Sequence, residues 1–336
     1  MNRRKFVTSA MGAGAALSLP RRARAQSITA RQIHSQPETS HLHIYLSKIW
    51  DKVREETNGR LDVTVFHQNS GLAVGPTNIL DTLRSGELEF YTLNGNIISR
   101  SHPVTDIQGI PFAFPTAEHA TRLWDGALGA YMAEELAPTG IRLIPYGGIE
   151  NGVKQIITID KPITNASDLE GFRMRVPNGQ LFVDFYESLG AEPAVINFSD
   201  LRDALAAHSV DGLENPLVVV DDNRLYETCN YIALSNHQWA GFNMIASEDF
   251  WQSLDEDLRE AVIRNARRFV PQQRAFVRTE NARFERDLCA RGMVFNTPDL
   301  ESFRERLSDT NFYGRWRERV GQRAWNMMED AVGPVG

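Results

Sequence analysis

Gly171-Phe-Arg-Met-Arg-Val-Pro177, Leu189-Gly-Ala-Glu-Pro193 and Val210-Asp-Gly-Leu-Glu-Asn-Pro-Leu217 are three pieces of one stretch that decides the fold. Ser167 and Glu170 ahead of it are spaced as a capping box for a single turn, and Gly171 ends that turn. Phe172 to Val176 reads as a strand. Pro177 ends the strand and enters a helix that runs to about Leu189, with Gly190 as its stop. Ser199 is placed to cap the next helix, and Asn215-Pro216 form a cap and first-turn pair for another. Strands and helices alternating at this density describe an α/β lobe.

The same alternation extends toward the N-terminus. Ile28–Ile33 is a short strand, and Leu42, Leu46, Ile49 and Val53 recur at helical spacing. Leu61, Val63 and Val65 alternate as a half-buried strand. Ile79, Leu80 and Leu83 mark a second helix, and Phe90–Leu93 the next strand, followed by the loop Asn94-Gly-Asn96. In a β-α-β-α-β unit the loops at the carboxyl ends of the strands form the ligand crevice, which makes Asn94 a candidate contact. About 310 residues beyond the N-terminal segment exceed one ordinary core, so two lobes are expected. Residues 26–151 and about 241–283 would form lobe I; residues 152–240 and the C-terminal helices would form lobe II. From Trp239 the chain would cross back through a strand, Gly241–Ala246, into a long charged helix, roughly Leu258–Leu288, able to bridge both lobes. Phe312, Trp316, Val320 and Trp325 mark one amphipathic C-terminal helix packed on the core.

Residues 1–25 combine a basic start with paired Arg3 and Arg4, an apolar Val7–Leu19 stretch and a small-residue Ala23-Arg-Ala25 site. That pattern is an export signal of the twin-arginine type, with cleavage near Ala25. Its removal takes six cations and no anions, moving the formal charge from −7 to −13. So acidic a protein is not built for nucleic acid or an anionic membrane surface. No other run is long or apolar enough to span a bilayer, so a soluble, periplasmic protein is expected. Cys229 and Cys289 have neither metal-site nor redox-dithiol spacing. In an oxidising compartment they could pair or remain two separate thiols.

Catalytic motifs are absent: there is no Gly-x-Ser-x-Gly elbow, Walker loop or His-Glu-x-x-His, and no cofactor or metal is implied. His34, His41 and His43 cluster, but His41 and His43 diverge on a helix. Arg175 is the strongest functional candidate, because a guanidinium held at a strand end by Val176-Pro177 can grip a carboxylate with two parallel hydrogen bonds. Arg173 shares its strand face, so periodicity leaves both open. Asn215 could supply an amide to an anion, although helix capping alone would explain it. Asn151 and Lys154 fall in the expected inter-lobe turn, Lys154 as a second cation. Trp239 is a candidate apolar wall or a core residue.

The chain resembles the solute-binding proteins of tripartite ATP-independent periplasmic (TRAP) transporters, of the dicarboxylate-binding type. The resemblance covers nearly all of the chain after the export signal. It is carried by Gly109-Ile-Pro-Phe-Ala-Phe114, Glu150-Asn-Gly-Val-Lys-Gln155, Arg175-Val-Pro177, Leu189-Gly-Ala-Glu-Pro193 and Val210–Leu217, in order and properly separated. It implies a two-lobed periplasmic-binding-protein architecture with crossing strands, a long bridging helix and a cleft that closes on its ligand. It also implies an organic acid anion as ligand, with the small and large membrane subunits of a TRAP transporter as partners. Arg175 matches the family's carboxylate-binding arginine and Asn215 the assisting asparagine; this, not spacing, prefers Arg175 over Arg173. Two positions depart from the family. Lys154 stands where many relatives carry arginine. Gly75-Pro-Thr follows Gly71–Val74 where relatives often place an acid, which disfavours an amine or polyol held by a carboxylate. With Trp239, that favours a less hydroxylated monocarboxylate. The same cleft could serve the sensor input of a signalling receptor; a secreted α/β enzyme would need a nucleophile or metal beside Arg175.

Overall fold

Parallel pairing of β1 (Ile28–His34) with β2 (Leu61–Phe66) and β3 (Phe90–Asn94) builds the first sheet from the N-terminal unit. A computed structural model describes residues 27–67, 70 and 79–336 of the protein. The expected export signal and the segment Gly71–Val74 with Gly75-Pro-Thr lie outside the described residues. The connection from β1 to β2 is the helix His41–Glu56, capped by Ser40 and buried along Leu42, Leu46, Ile49 and Val53, as the spacing predicts. β4 (Ile141–Ile149) and β10 (Phe242–Ser247) complete this sheet, in the order β2-β1-β3-β10-β4, with β10 antiparallel to both neighbours.

The second sheet runs β11-β9-β5-β8-β6-β7. Its strands are β5 (Val153–Thr158), β6 (Arg173–Val176), β7 (Glu192–Val195), β8 (Gly212–Asn215), β9 (Tyr231–Trp239) and β11 (Val294–Asn296). The chain passes directly from strand to strand between the sheets twice, from β4 to β5 through Glu150–Gly152 and from β9 to β10 through Ala240–Gly241, and a third time through the helix Glu256–Ala290 on the way to β11. The two direct passages lie side by side, with Ala240 N–H donating to Gly152 O at 3.0 Å.

Alternation along the strands sorts the core. On β10, Phe242, Met244 and Ala246 join a cluster with the helix His41–Glu56, while Ile245 faces the opposite way. On β5, Ile156 and Ile157 likewise enter different clusters. The helix Glu256–Ala290 spans both sheets: Leu258, Val262, Ala266 and Val270 pack on the first, Phe284 and Leu288 on the second. Where it passes the crossing, Gln273 accepts from Glu150 N–H at 2.9 Å and donates to Glu150 O at 2.7 Å.

Several local expectations are corrected. The capping box is Asn165 with Asp168, not Ser167 with Glu170. The helix after Pro177 begins only at Gln180, behind Gly179, because Pro177 and Asn178 remain at the cleft. Ser199 sits inside a single turn, Phe198–Asp200, and makes no capping bond. Asn94 is not a loop residue alone: its side chain caps a short helix, Gly95–Ile98. The C-terminal helix is two, Phe312–Val320 and Gln322–Val332, broken at Gly321, whose φ of 91° favours glycine. The first of these helices contacts both parts of the chain that the sequence assigns to separate lobes. Tyr313 donates to Pro111 O at 3.2 Å and Arg315 to Ser188 Oγ at 3.2 Å, tying it to both sides. Cys229 is buried, Cys289 exposed, and both are unpaired. No helix among the described residues is long and apolar enough to cross a membrane.

Candidate ligand-binding cleft

The strand ends of the two sheets meet at a cleft beside the double crossing. Ser35 follows β1, Asn94 ends β3, Phe242 begins the antiparallel β10, and Asn215 ends β8. Arg175 is the penultimate residue of β6. Parallel strands deliver side chains to one rim because their carboxyl ends align. Two adjoining cavities of about 60 and 80 Å³ share Ser35, Asn94, Ile97, Arg175, Pro177, Phe198 and Phe242. The larger also touches Asn151, Lys154, Glu214 and Asn215.

The two arginines of β6 have different fates. Arg173 pairs with Asp211, its Nε 3.0 Å from Oδ2, at the solvent-exposed start of the strand. Arg175 is only 3% exposed and lines both cavities. Its Nε donates to Ile196 O at 2.9 Å, and Phe198 lies against the guanidinium, 5.7 Å from its carbon. Among the described residues no carboxylate pairs with it. Burial pulls the guanidinium down to about 10, against the raising influence of Glu214. It therefore keeps its proton at neutral pH, as a buried cation in want of an anion.

Asn215 is not a helix cap. It remains in β8, Pro216 takes the cap position of Leu217–Asp222, and no side chain caps that helix. The Nδ2 of Asn215 is buried with no hydrogen-bond partner among the described residues. A buried unsatisfied donor is costly, so this amide is poised to donate to something in the cavity. Asn94 is partly committed: its Oδ1 accepts from Asn96 N–H at 3.0 Å and its Nδ2 donates to Gly241 O at 3.4 Å. Asn151 is buried at the crossing and lines the larger cavity.

Trp239 takes the core alternative and not that of a cavity wall: it lines neither cavity, its indole N–H donates to Glu150 Oε1 at 2.9 Å and its ring lies 6.3 Å from Trp124. The chain direction at the crossing turns Trp239 into the core, and its neighbour Ala240 lines the cavity instead. The apolar walls are Ile97, Phe198 and Phe242. Lys154 is corrected: it is not a free second cation, because its ammonium is 2.6 Å from Glu214 Oε1. Burial lowers the lysine to about 8 against the opposing influence of Glu214. Burial would raise Glu214, but Lys154 and His237 hold it below the usual carboxylate range. The pair is ionic at neutral pH.

Sequence reasoning missed Glu214 although it sits inside the quoted Val210–Leu217 motif. Its partner became visible only with the β5–β8 register, which sets Ile156 opposite Glu214. The histidines are structural. His34 and His43 approach at 3.1 Å, and burial, with the neighbouring histidines, lowers His34 to about 3. No group of three or more His, Cys, Asp or Glu among the described residues is placed to hold a metal ion.

The sequence profile of the bacterial extracellular solute-binding protein family 7 matches residues 33–311. The chain belongs to that family. A solute-binding protein of Roseobacter denitrificans is 27% identical over 286 residues, covering 85% of this chain and 86% of the relative. The crystal structure of a TRAP periplasmic solute-binding protein from Polaromonas, bound to D-erythronate, is 25% identical with a TM-score of 0.83, covering 91% of this chain and 99% of that one. Another, from Sulfitobacter with bound β-D-galacturonate, is 21% identical with a TM-score of 0.84, covering 91% and 100%. As a family 7 solute-binding protein, the chain has the two-lobed α/β fold of the TRAP periplasmic binding proteins. The family is one of solute binders rather than enzymes, and the cleft is where a solute would meet both sheets.

Proposed function

We propose that the cleft captures a small organic acid by its carboxylate and that the protein delivers it to the membrane subunits, small and large, of a TRAP-type transporter. The observation that carries this reading is Arg175: a guanidinium 3% exposed, lining both cavities, without a protein carboxylate against it among the described residues. A bidentate carboxylate matches that fork. The unpartnered Nδ2 of Asn215 adds a neutral donor beside it. Asn94 and Asn151 contribute polar wall, and Lys154 acts through Glu214 rather than as a direct ligand. The D-erythronate and β-D-galacturonate held by the two structural neighbours are both carboxylates, which is in keeping with the assignment. Two lobes hinged at Glu150–Gly152 and Ala240–Gly241 close over the acid.

The protein works in the periplasm after a twin-arginine-type signal is removed near Ala25. N-terminal sequencing of the exported protein tests the cleavage point. For the ligand, a thermal-shift screen over organic acids followed by native mass spectrometry is decisive. A bound acid at about 100 times its Kd stabilises the fold by about 2.7 kcal/mol, and it is recovered unchanged. A panel in which no carboxylate stabilises the protein, or in which the acid is converted, counts against this function.

A further inference from the structure

A buried charge cluster adjoins Arg175, and carboxylate binding alone gives it no task. Lys154 on β5 sets its ammonium 2.6 Å from Glu214 Oε1 on β8 and 3.7 Å from the centre of the Phe182 ring. The other Glu214 oxygen is 3.4 Å from His237 Nε2, and His237 Nδ1 is 2.8 Å from Ser235 Oγ. The three side chains are 5%, 1% and 0% exposed. Burial lowers the His237 imidazole, against the opposing influence of Glu214, so it is neutral at pH 7. Lys154 and Glu214 therefore cancel, and Arg175 is the one uncancelled charge among the described residues lining the two cavities. The remaining lining groups are amides, a serine, a phenol and apolar side chains. Residues 68–69 and 71–78 contain no charged side chain in the sequence.

We infer that the cleft is matched to a singly charged carboxylate with an uncharged remainder, and that Glu214 sets this count by cancelling Lys154. The inference rests on the carboxylate reading above. One carboxylate brings the buried charge to zero. A second would enter a low-dielectric cleft without a free cation. It would stay unpaired or take Lys154 from Glu214, which leaves Glu214 buried without a cation and with only the neutral His237 beside it; either outcome penalises the diacid. Selectivity here comes from a built-in repulsive element rather than from added attraction.

Isothermal titration with acids that differ by one charge at nearly constant shape tests this. The probes are succinamate against succinate, D-gluconate against D-glucarate, and the acid found in the thermal screen against its analogue with one carboxylate more or fewer. The wild-type protein is expected to bind the monoacid at least about tenfold more tightly. Glu214→Gln frees Lys154 and shifts the ratio at least about tenfold toward the diacid. Should that variant not fold, the double variant Lys154→Met/Glu214→Gln removes both charges at similar volume and must keep the monoacid preference. A wild-type protein that binds the diacid as tightly, a ratio unmoved in Glu214→Gln, or a double variant that prefers the diacid overturns the inference and leaves the Arg175 assignment standing. Failure of both members of every pair to bind overturns the carboxylate reading, and this inference with it.

Discussion

Replacing Arg175 with methionine keeps the length of the side chain and removes its charge. Two charge-assisted hydrogen bonds to a ligand carboxylate are lost, and truncating one partner of such a buried pair costs about 3–5 kcal/mol. At about 1.4 kcal/mol per factor of ten, affinity should fall about 100- to 3,000-fold. Stability without ligand should move the other way. Burial lowers the guanidinium from its ordinary value to about 10, a penalty on the charged form of roughly 3 kcal/mol. The bond from Nε to Ile196 O offsets about 1 kcal/mol of it. Arg175→Met should therefore be as stable as the wild-type protein or more so. Isothermal titration with the acid from the thermal screen measures the first effect; urea unfolding without ligand measures the second. Affinity retained within about threefold refutes the assignment. A loss of several kcal/mol of ligand-free stability would make Arg175 a structural strut instead.

Asn215→Ala removes a neutral donor worth about 1 kcal/mol, so affinity should weaken about fivefold by titration. Because Asn215 caps no helix and its Nδ2 has no protein partner among the described residues, its removal breaks no protein hydrogen bond and relieves a buried unsatisfied donor, so ligand-free stability should not fall by more than about 0.5 kcal/mol. His34 and His41 are lowered from 6.5 to about 3 and about 4, chiefly by burial. Below pH 6.5 the unfolded chain binds protons that the folded one does not, so stability present above pH 6.5 is lost as pH falls toward the folded values. Between pH 7 and pH 5 each of these two histidines should withdraw about 2 kcal/mol; in urea unfolding, the stability change over that range should therefore differ by about this amount between His34→Gln and the wild-type protein, and an identical change would contradict the burial argument. A Cβ at Gly241 would lie 2.2 Å from the Trp239 ring. Gly241→Ala should therefore destabilise the protein by about 2 kcal/mol or more, read as a lower urea midpoint.

The regular elements were legible because their hydrophobic periods are unambiguous. Leu42, Leu46, Ile49 and Val53 could only be one face of a helix, and all four are buried. Asn215 was obscured because Asn-Pro is an ordinary helix start; only the extension of β8 through Asn215 moves the cap to Pro216. Arg173 and Arg175 share a strand face, so parity could not separate them. What separates them is Asp211, brought to Arg173 from a distant turn. Glu214 was beyond reach for a similar reason, since pairing it with Lys154 requires the antiparallel register of β5 and β8. Trp239 stayed open because a tryptophan at a crossing can face either way; the carboxylate of Glu150, accepting its N–H, holds it inward. The pairings of Glu214 with Lys154 and of Arg173 with Asp211 are long-range, which no local pattern encodes.

A crystal structure of the protein with the acid recovered from the thermal screen tests the central claim most directly. The ligand carboxylate should lie within about 3 Å of both terminal nitrogens of Arg175 and of Asn215 Nδ2, with Lys154 still paired to Glu214. A carboxylate held elsewhere, with Arg175 paired to a protein group or turned to solvent, would contradict it.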